Sequence, residues 1–163
     1  KDLKLILVPR HPERSNSLKE ILDVNKINYE ISSNLELNTN ENDVIVINTT
    51  GLLNSLYKKS KASFIGGSLF SKYGGHNIIE AASNKSPFIV GPYMKNFEDI
   101  LNLFLEREAC LQLQHPNDLY EAYKKLLKND ELRSHIIDNA LKVVSENKGS
   151  SNKQYKYIKN LIN

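Results

Sequence analysis

The sequence has one cysteine, one methionine and no tryptophan among its 163 residues. A single thiol excludes an internal disulfide. Cys110 lies in the apolar run Ala109-Cys110-Leu111, where it reads as a small buried hydrophobe rather than a nucleophile, consistent with a reducing compartment. Long apolar runs are also missing: none approaches the roughly 18 residues that cross a bilayer. The first residues lack the pattern of a signal peptide, so the segment itself is expected to be soluble. Nor is there a large charge of either sign. Lys and Arg number 22 against 19 Asp and Glu, a net +3 with histidine neutral. The lysines are dispersed, which argues against a nucleic-acid partner. No spacing of His, Cys, Asp and Glu matches a metal site, and none is expected.

What is present is ordinary for a globular protein: 40% apolar and 25% charged residues. The length suits one domain over residues 1–163. The chain begins with Lys1, and a strand pattern follows almost at once, as expected of a piece of a longer protein. Leu3 to Val8, Tyr29 to Ser32, Asp43 to Ile47, Ala62 to Ile65, Pro87 to Val90 and Cys110 to Leu113 read as strands. Between and after them, 3.6-residue periodicity predicts helices. These are Ser17 to Lys26 (Leu18, Ile21 and Leu22 on one face), Leu52 to Ser60, Asn77 to Ser83, Asn96 to Glu106, Pro116 to Lys128 and Asp130 to Glu146. A last helix is predicted near 152–162, beyond a polar joint. Tyr120, Tyr123, Tyr155 and Tyr157 read as helix-packing residues.

Strand–helix alternation implies a parallel sheet covered on both faces. The expected class is α/β: a Rossmann-like, doubly wound sheet of about six parallel strands. Ligands of such sheets bind beyond the carboxyl ends of the strands, and the unusual residues of this sequence stand there. Pro9-Arg10-His11-Pro12-Glu13-Arg14 follows the first strand and Asn48-Thr49-Thr50-Gly51 the third. Gly66-Gly67-Ser68 follows the fourth and Gly91-Pro92 the fifth.

Three of these segments carry candidate chemistry. The segment from Gly66 to Asn77 runs from a strand into a helix and holds two Gly-Gly pairs, which permit sharp turns and close approach to a ligand. A helix start at Asn77 offers free N–H groups to a phosphate, or is a plain cap in a tight loop. It is neither a dinucleotide nor a Walker fingerprint. Glu80, three residues on, reads as a capping-box acid or as the acceptor for two vicinal ribose hydroxyls. Arg10 and Arg14 are two of only four arginines, placed within five positions beside two prolines. They suit a forked phosphate contact or a surface ion-pair cluster with Glu13. Ser68, Gly75, His11 and His76 complete the polar set, the histidines in hydrogen-bonding or structural roles.

Together these motifs resemble the bacterial 3-deoxy-D-manno-octulosonic acid (Kdo) transferases, which attach Kdo from CMP-Kdo to a lipid A precursor in lipopolysaccharide biosynthesis. The resemblance rests on Val8-Pro9-Arg10-His11-Pro12-Glu13-Arg14, Gly66-Gly67-Ser68-Leu69, Gly74-Gly75-His76-Asn77 with Glu80-Ala81-Ala82, and Gly91-Pro92 with Asn96-Phe97. It spans about residues 5 to 100. It implies a GT-B glycosyltransferase, two Rossmann-like domains of which this is the C-terminal, donor-binding one. CMP would be held by Pro9, Arg10, Thr50, Gly51, Leu52, Asn77, Ile78, Ile79 and Glu80, with Ser68, Gly75 and His76 as possible further contacts. No residue of this segment would be the catalytic base, which in the family is a glutamate of the N-terminal domain, so the segment alone would be inactive. Transfer would be inverting, with no metal and no cofactor beyond the donor. The other domain would meet the lipid A precursor, and the parent protein would sit at the cytoplasmic face of the inner membrane.

The sequence departs from the family in two places. Asn48-Thr49-Thr50-Gly51-Leu52-Leu53 stands where Asp-Thr-Met-Gly-Glu-Leu is usual, losing two carboxylates, and Ile78 replaces a proline. A backbone contact through Gly51 survives this; a side-chain contact from position 52 does not. The alternatives are a UDP-sugar-dependent GT-B glycosyltransferase or epimerase, against which the Pro-Arg-His-Pro-Glu-Arg segment counts, and a non-catalytic nucleotide-binding or interaction domain. A dinucleotide oxidoreductase lacks its glycine fingerprint.

Overall fold

A computed structural model describes residues 3–35 and 43–147; the helix expected near 152–162 lies outside them. The chain divides into two compact units, Lys1–Leu56 and Tyr57–Asn163.

In the first unit, β1 (Leu5–Leu7), β2 (Tyr29–Ser32) and β3 (Val44–Ile47) form a parallel sheet in the order β1-β3-β2. Helix α1 (Ser15–Val24) connects β1 to β2. β3 is an uninterrupted β-branched run and all four of its residues are buried, as a central parallel strand requires. Its side chains alternate: Val44 and Val46 pack with Leu22 and Leu18 of α1, while Ile45 and Ile47 pack with Leu52 and Leu56. Leu22 and Leu18 do face the sheet, but Ile21 is 58% exposed. The helix also begins two residues earlier than periodicity indicated, directly after the single turn Pro12–Arg14.

In the second unit, β4 (Ser63–Ile65), β5 (Phe88–Val90) and β6 (Leu111–Gln112) form a second parallel sheet in that order. Helices α3 (Ile79–Ser83), α4 (Glu98–Glu106), α5 (Leu119–Lys128) and α6 (Asp130–Asn147) surround it; α2 (Leu53–Lys59) precedes β4. Alternation again divides the core. Phe88 and Val90 join Ala81, Leu101, Phe104, Ala140 and Val143, whereas Ile89 joins Leu113, Leu126 and Ile136 on the opposite face. Phe88 and Phe104 meet edge to face at 5.5 Å, a favoured aromatic geometry. Cys110 is buried in this core. Tyr123 packs on the opposite face, against the group of Ile89, Leu126 and Ile136, while Tyr120 is exposed; Tyr155 and Tyr157 lie outside the described residues. The expected α/β class and the parallel pairing are found, with the six strands of the described residues arranged as two sheets of three rather than one of about six.

Polar side chains tie the second sheet's turns. The hydroxyls of Ser60, Ser63 and Ser86 form a triangle with sides of 3.0, 2.7 and 2.6 Å. They join the end of α2 to β4 and to the turn before β5, and satisfy groups that burial would otherwise leave unpaired.

Candidate functional site

In the first unit the candidate residues share the carboxyl edge of the sheet, because β1 and β3 are adjacent and parallel, with Leu7 opposite Val46. Pro9 and Arg10 extend from β1, and Arg10 is exposed. The chain then turns once through Pro12–Arg14, closed by the Arg14 N–H donating to the His11 carbonyl at 3.0 Å. Proline fixes the first residue of that turn. His11 Nδ1 stands 3.5 Å from Glu13 Oε1, both exposed, so this pair contributes little stability.

Beyond β3, Thr50 and Gly51 are exposed. Gly51 has a φ of +88° and open space where a β-carbon would be. Its left-handed conformation is what only glycine adopts at low cost, and it leaves the backbone approachable. Leu52 is different: its half-buried side chain packs on Ile45 and Ile47, which leaves its backbone as the polar group it offers a ligand.

In the second unit the candidates lie on the loop from β4 to α3. Gly75 N–H donates to the Gly67 carbonyl at 2.9 Å, so the loop leaves and returns at one point. At this base the His76 imidazole lies so near Gly67 that a β-carbon there would stand 3.0 Å from its Cε1 and Nε2. Ser68 is fully buried. Its Oγ donates to the Ile65 carbonyl at 2.6 Å and accepts the Gly91 N–H at 2.8 Å, so Ser68 acts as a fastener between loops.

Asn77 is not the first helical residue. Its Oδ1 accepts the Ile79 N–H at 3.0 Å, a local side-chain-to-backbone turn, and α3 begins at Ile79. The amide of Asn77 donates to Glu80 Oε1 at 3.3 Å. The two side chains thus bond to each other, where a capping box would send the Glu80 carboxylate to the Asn77 backbone. Ile78 is fully buried in the core and Ile79 exposed. Position 78, like position 52, therefore offers its backbone, while Asn77, Ile79 and Glu80 offer side chains as well.

One neighbour carries no sequence signal at all. The Tyr57 hydroxyl is pushed up to about 12, chiefly by burial, with the Glu80 carboxylate and Tyr123 adding to it. Burial and a nearby anion both disfavour a phenolate. Gly91 and Asn96, present in the motifs without an assigned part, prove to be braces: Asn96 Nδ2 donates to the Tyr73 carbonyl at 3.0 Å, and Asn96 N–H to the Gly74 carbonyl at 3.0 Å. Among the described residues no group of three His, Cys, Asp or Glu is placed to hold a metal ion, and no helix is long and apolar enough to cross a membrane.

No family model matches the chain. It is 35% identical over 150 residues to a 3-deoxy-D-manno-octulosonic acid transferase of Haemophilus influenzae, covering 91% of this chain and 35% of that protein. To the transferase of Chlamydophila psittaci it is 29% identical, covering 99% of this chain and 37% of that protein. It thus spans about a third of the length of the curated relatives it matches. Among solved structures it resembles the C-terminal CMP-Kdo binding domain of WaaA from Acinetobacter baumannii. There the TM-score is 0.82 and the identity 31%, over 87% of this chain and 74% of that one. By sequence and by fold, this chain belongs to the 3-deoxy-D-manno-octulosonic acid transferase family.

Proposed function

We propose that this chain is the donor-binding part of a Kdo transferase and holds CMP-Kdo. The observation that carries the reading is its likeness, at a TM-score of 0.82 and 31% identity, to a domain that binds CMP-Kdo. In this reading the Arg10 guanidinium and the N–H groups of Asn77 and Ile78 neutralise the phosphate as it becomes the leaving group. Glu80 accepts from the ribose hydroxyls, and the backbone of Thr50, Gly51 and Leu52 approaches the cytosine. Pro9 shapes the Arg10 turn; Ser68, Gly75 and His76 shape the turn before Asn77.

The rest of the reaction lies outside these residues. A carboxylate of another domain deprotonates the acceptor hydroxyl. The sugar passes with inversion to a lipid A precursor, at the cytoplasmic face of the inner membrane, without metal or cofactor. Titration of the chain with CMP and UDP tests the reading: CMP binds more tightly, and clearly tighter binding of UDP overturns it in favour of a UDP-sugar enzyme.

One observation favours a second reading, a binding domain without catalysis. The turn from Asn48 to Leu53 carries no carboxylate. An intact fold with no CMP binding at millimolar concentration supports that reading instead.

A further inference from the structure

The second unit has an open cleft of about 620 Å³, lined by Leu69, Phe70, Lys72, Tyr73, Tyr93 and Pro116. The volume is that of a small-molecule site. Its walls follow the ends of all three strands of one sheet: residues 69–73 come after β4, Tyr93 after β5 and Pro116 after β6. Three rings stand open to solvent here, Phe70 at 64%, Tyr73 at 43% and Tyr93 at 44%. Clustered exposed aromatics mark a binding surface.

The backbone under these rings is held. Tyr93 N–H donates to the Ser68 carbonyl at 3.0 Å, Tyr73 N–H to the Phe70 carbonyl at 3.2 Å, and Asn96 holds the Tyr73 carbonyl. The surface is therefore preformed, which lowers the ordering cost of binding. Its charge has one sign: Lys72 Nζ stands 5.0 Å from the Tyr73 ring centroid, and no carboxylate lines the cleft.

Aromatic faces accept the apolar C–H face of a sugar ring, and an ammonium beside them pairs with an anion. We infer that this cleft takes the acidic sugar of the donor, its carboxylate on Lys72 and its ring against Tyr73 and Tyr93. The inference rests on the reading that the chain binds CMP-Kdo and extends it to the sugar. The loop geometry suits this division. Its base, closed by Gly75 and Gly67, leads into Asn77, and its tip forms the cleft wall.

The test measures the affinity of the chain for freshly prepared CMP-Kdo and for CMP, with Lys72→Met, Lys72→Arg and Tyr93→Ala alongside and thermal melting to confirm each fold. The ratio of CMP-Kdo to CMP affinity is expected to fall about tenfold in Lys72→Met and Tyr93→Ala, the scale of one charge-assisted contact, and to be largely kept in Lys72→Arg. A wild-type chain that binds CMP but gains nothing from the sugar overturns the inference alone. A chain that binds neither overturns the nucleotide reading and the inference with it. A ratio unmoved in the variants, with weakened binding of a phosphorylated lipid acceptor instead, assigns the cleft to the acceptor and overturns the inference.

Discussion

Ser68 and Gly91 are locked together across two loops: the buried Ser68 Oγ accepts the Gly91 N–H at 2.8 Å, and a β-carbon at Gly91 would collide with the Ser68 carbonyl oxygen. This contact seats the turn after β5 against the turn after β4.

Ser68→Ala removes that acceptor and leaves a buried N–H unpaired. The expected loss is about 1–3 kcal/mol of stability, read from urea unfolding midpoints. Gly91→Ala, which forces backbone apart, is expected to cost at least as much. A Gly91→Ala midpoint equal to wild type would show that the loops part without penalty.

Arg10→Ala is expected to weaken CMP binding by about 1.5–3 kcal/mol, the value of a hydrogen bond to a charged group. Arg10 is exposed, so melting should hardly change. Calorimetric titration giving the wild-type affinity would remove Arg10 from the site.

Glu80→Gln is expected to weaken CMP more than it weakens the deoxyribose analogue, because the lost acceptor served the vicinal hydroxyls. Equal losses for both ligands would leave Glu80 as the partner of Asn77 and no more.

Cys110 supplies a pH prediction. Burial pushes its thiol up to about 12. In the unfolded chain the thiol ionises near pH 8.5, so above that pH the unfolded state sheds a proton that the folded state keeps. Stability is then full below about pH 8.5 and falls as the pH rises toward 12. Cys110→Ala should flatten this alkaline loss in denaturant titrations at several pH values. The thiol should also resist a disulfide reagent until the protein unfolds.

The elements were legible wherever local pattern and burial agree. Val44 to Ile47 is β-branched throughout and fully buried, so composition alone marks it as a central strand. Ile21 misled because periodicity places it near the apolar stripe, whereas packing brings Leu18 and Leu22 onto the sheet and leaves Ile21 58% exposed. The helix start at Asn77 misled for a local reason: an asparagine can turn the backbone before a helix as readily as cap one.

The sequence by itself determined the strand and helix order, the glycine turns after the strands, the solitary thiol and the family resemblance, because each is written in residue type and spacing. The tertiary structure alone decided that the strands pair as two sheets of three, and that Leu52 and Ile78 turn their side chains into cores. It also decided that Ser68 fastens Gly91, and that Phe70, Tyr73 and Tyr93 share one cleft. These are contacts between residues far apart in the chain, 23 positions for Ser68 and Gly91 and 39 for Leu5 and Val44; they depend on how elements pack, and nothing in local spacing encodes which distant backbone a side chain will meet.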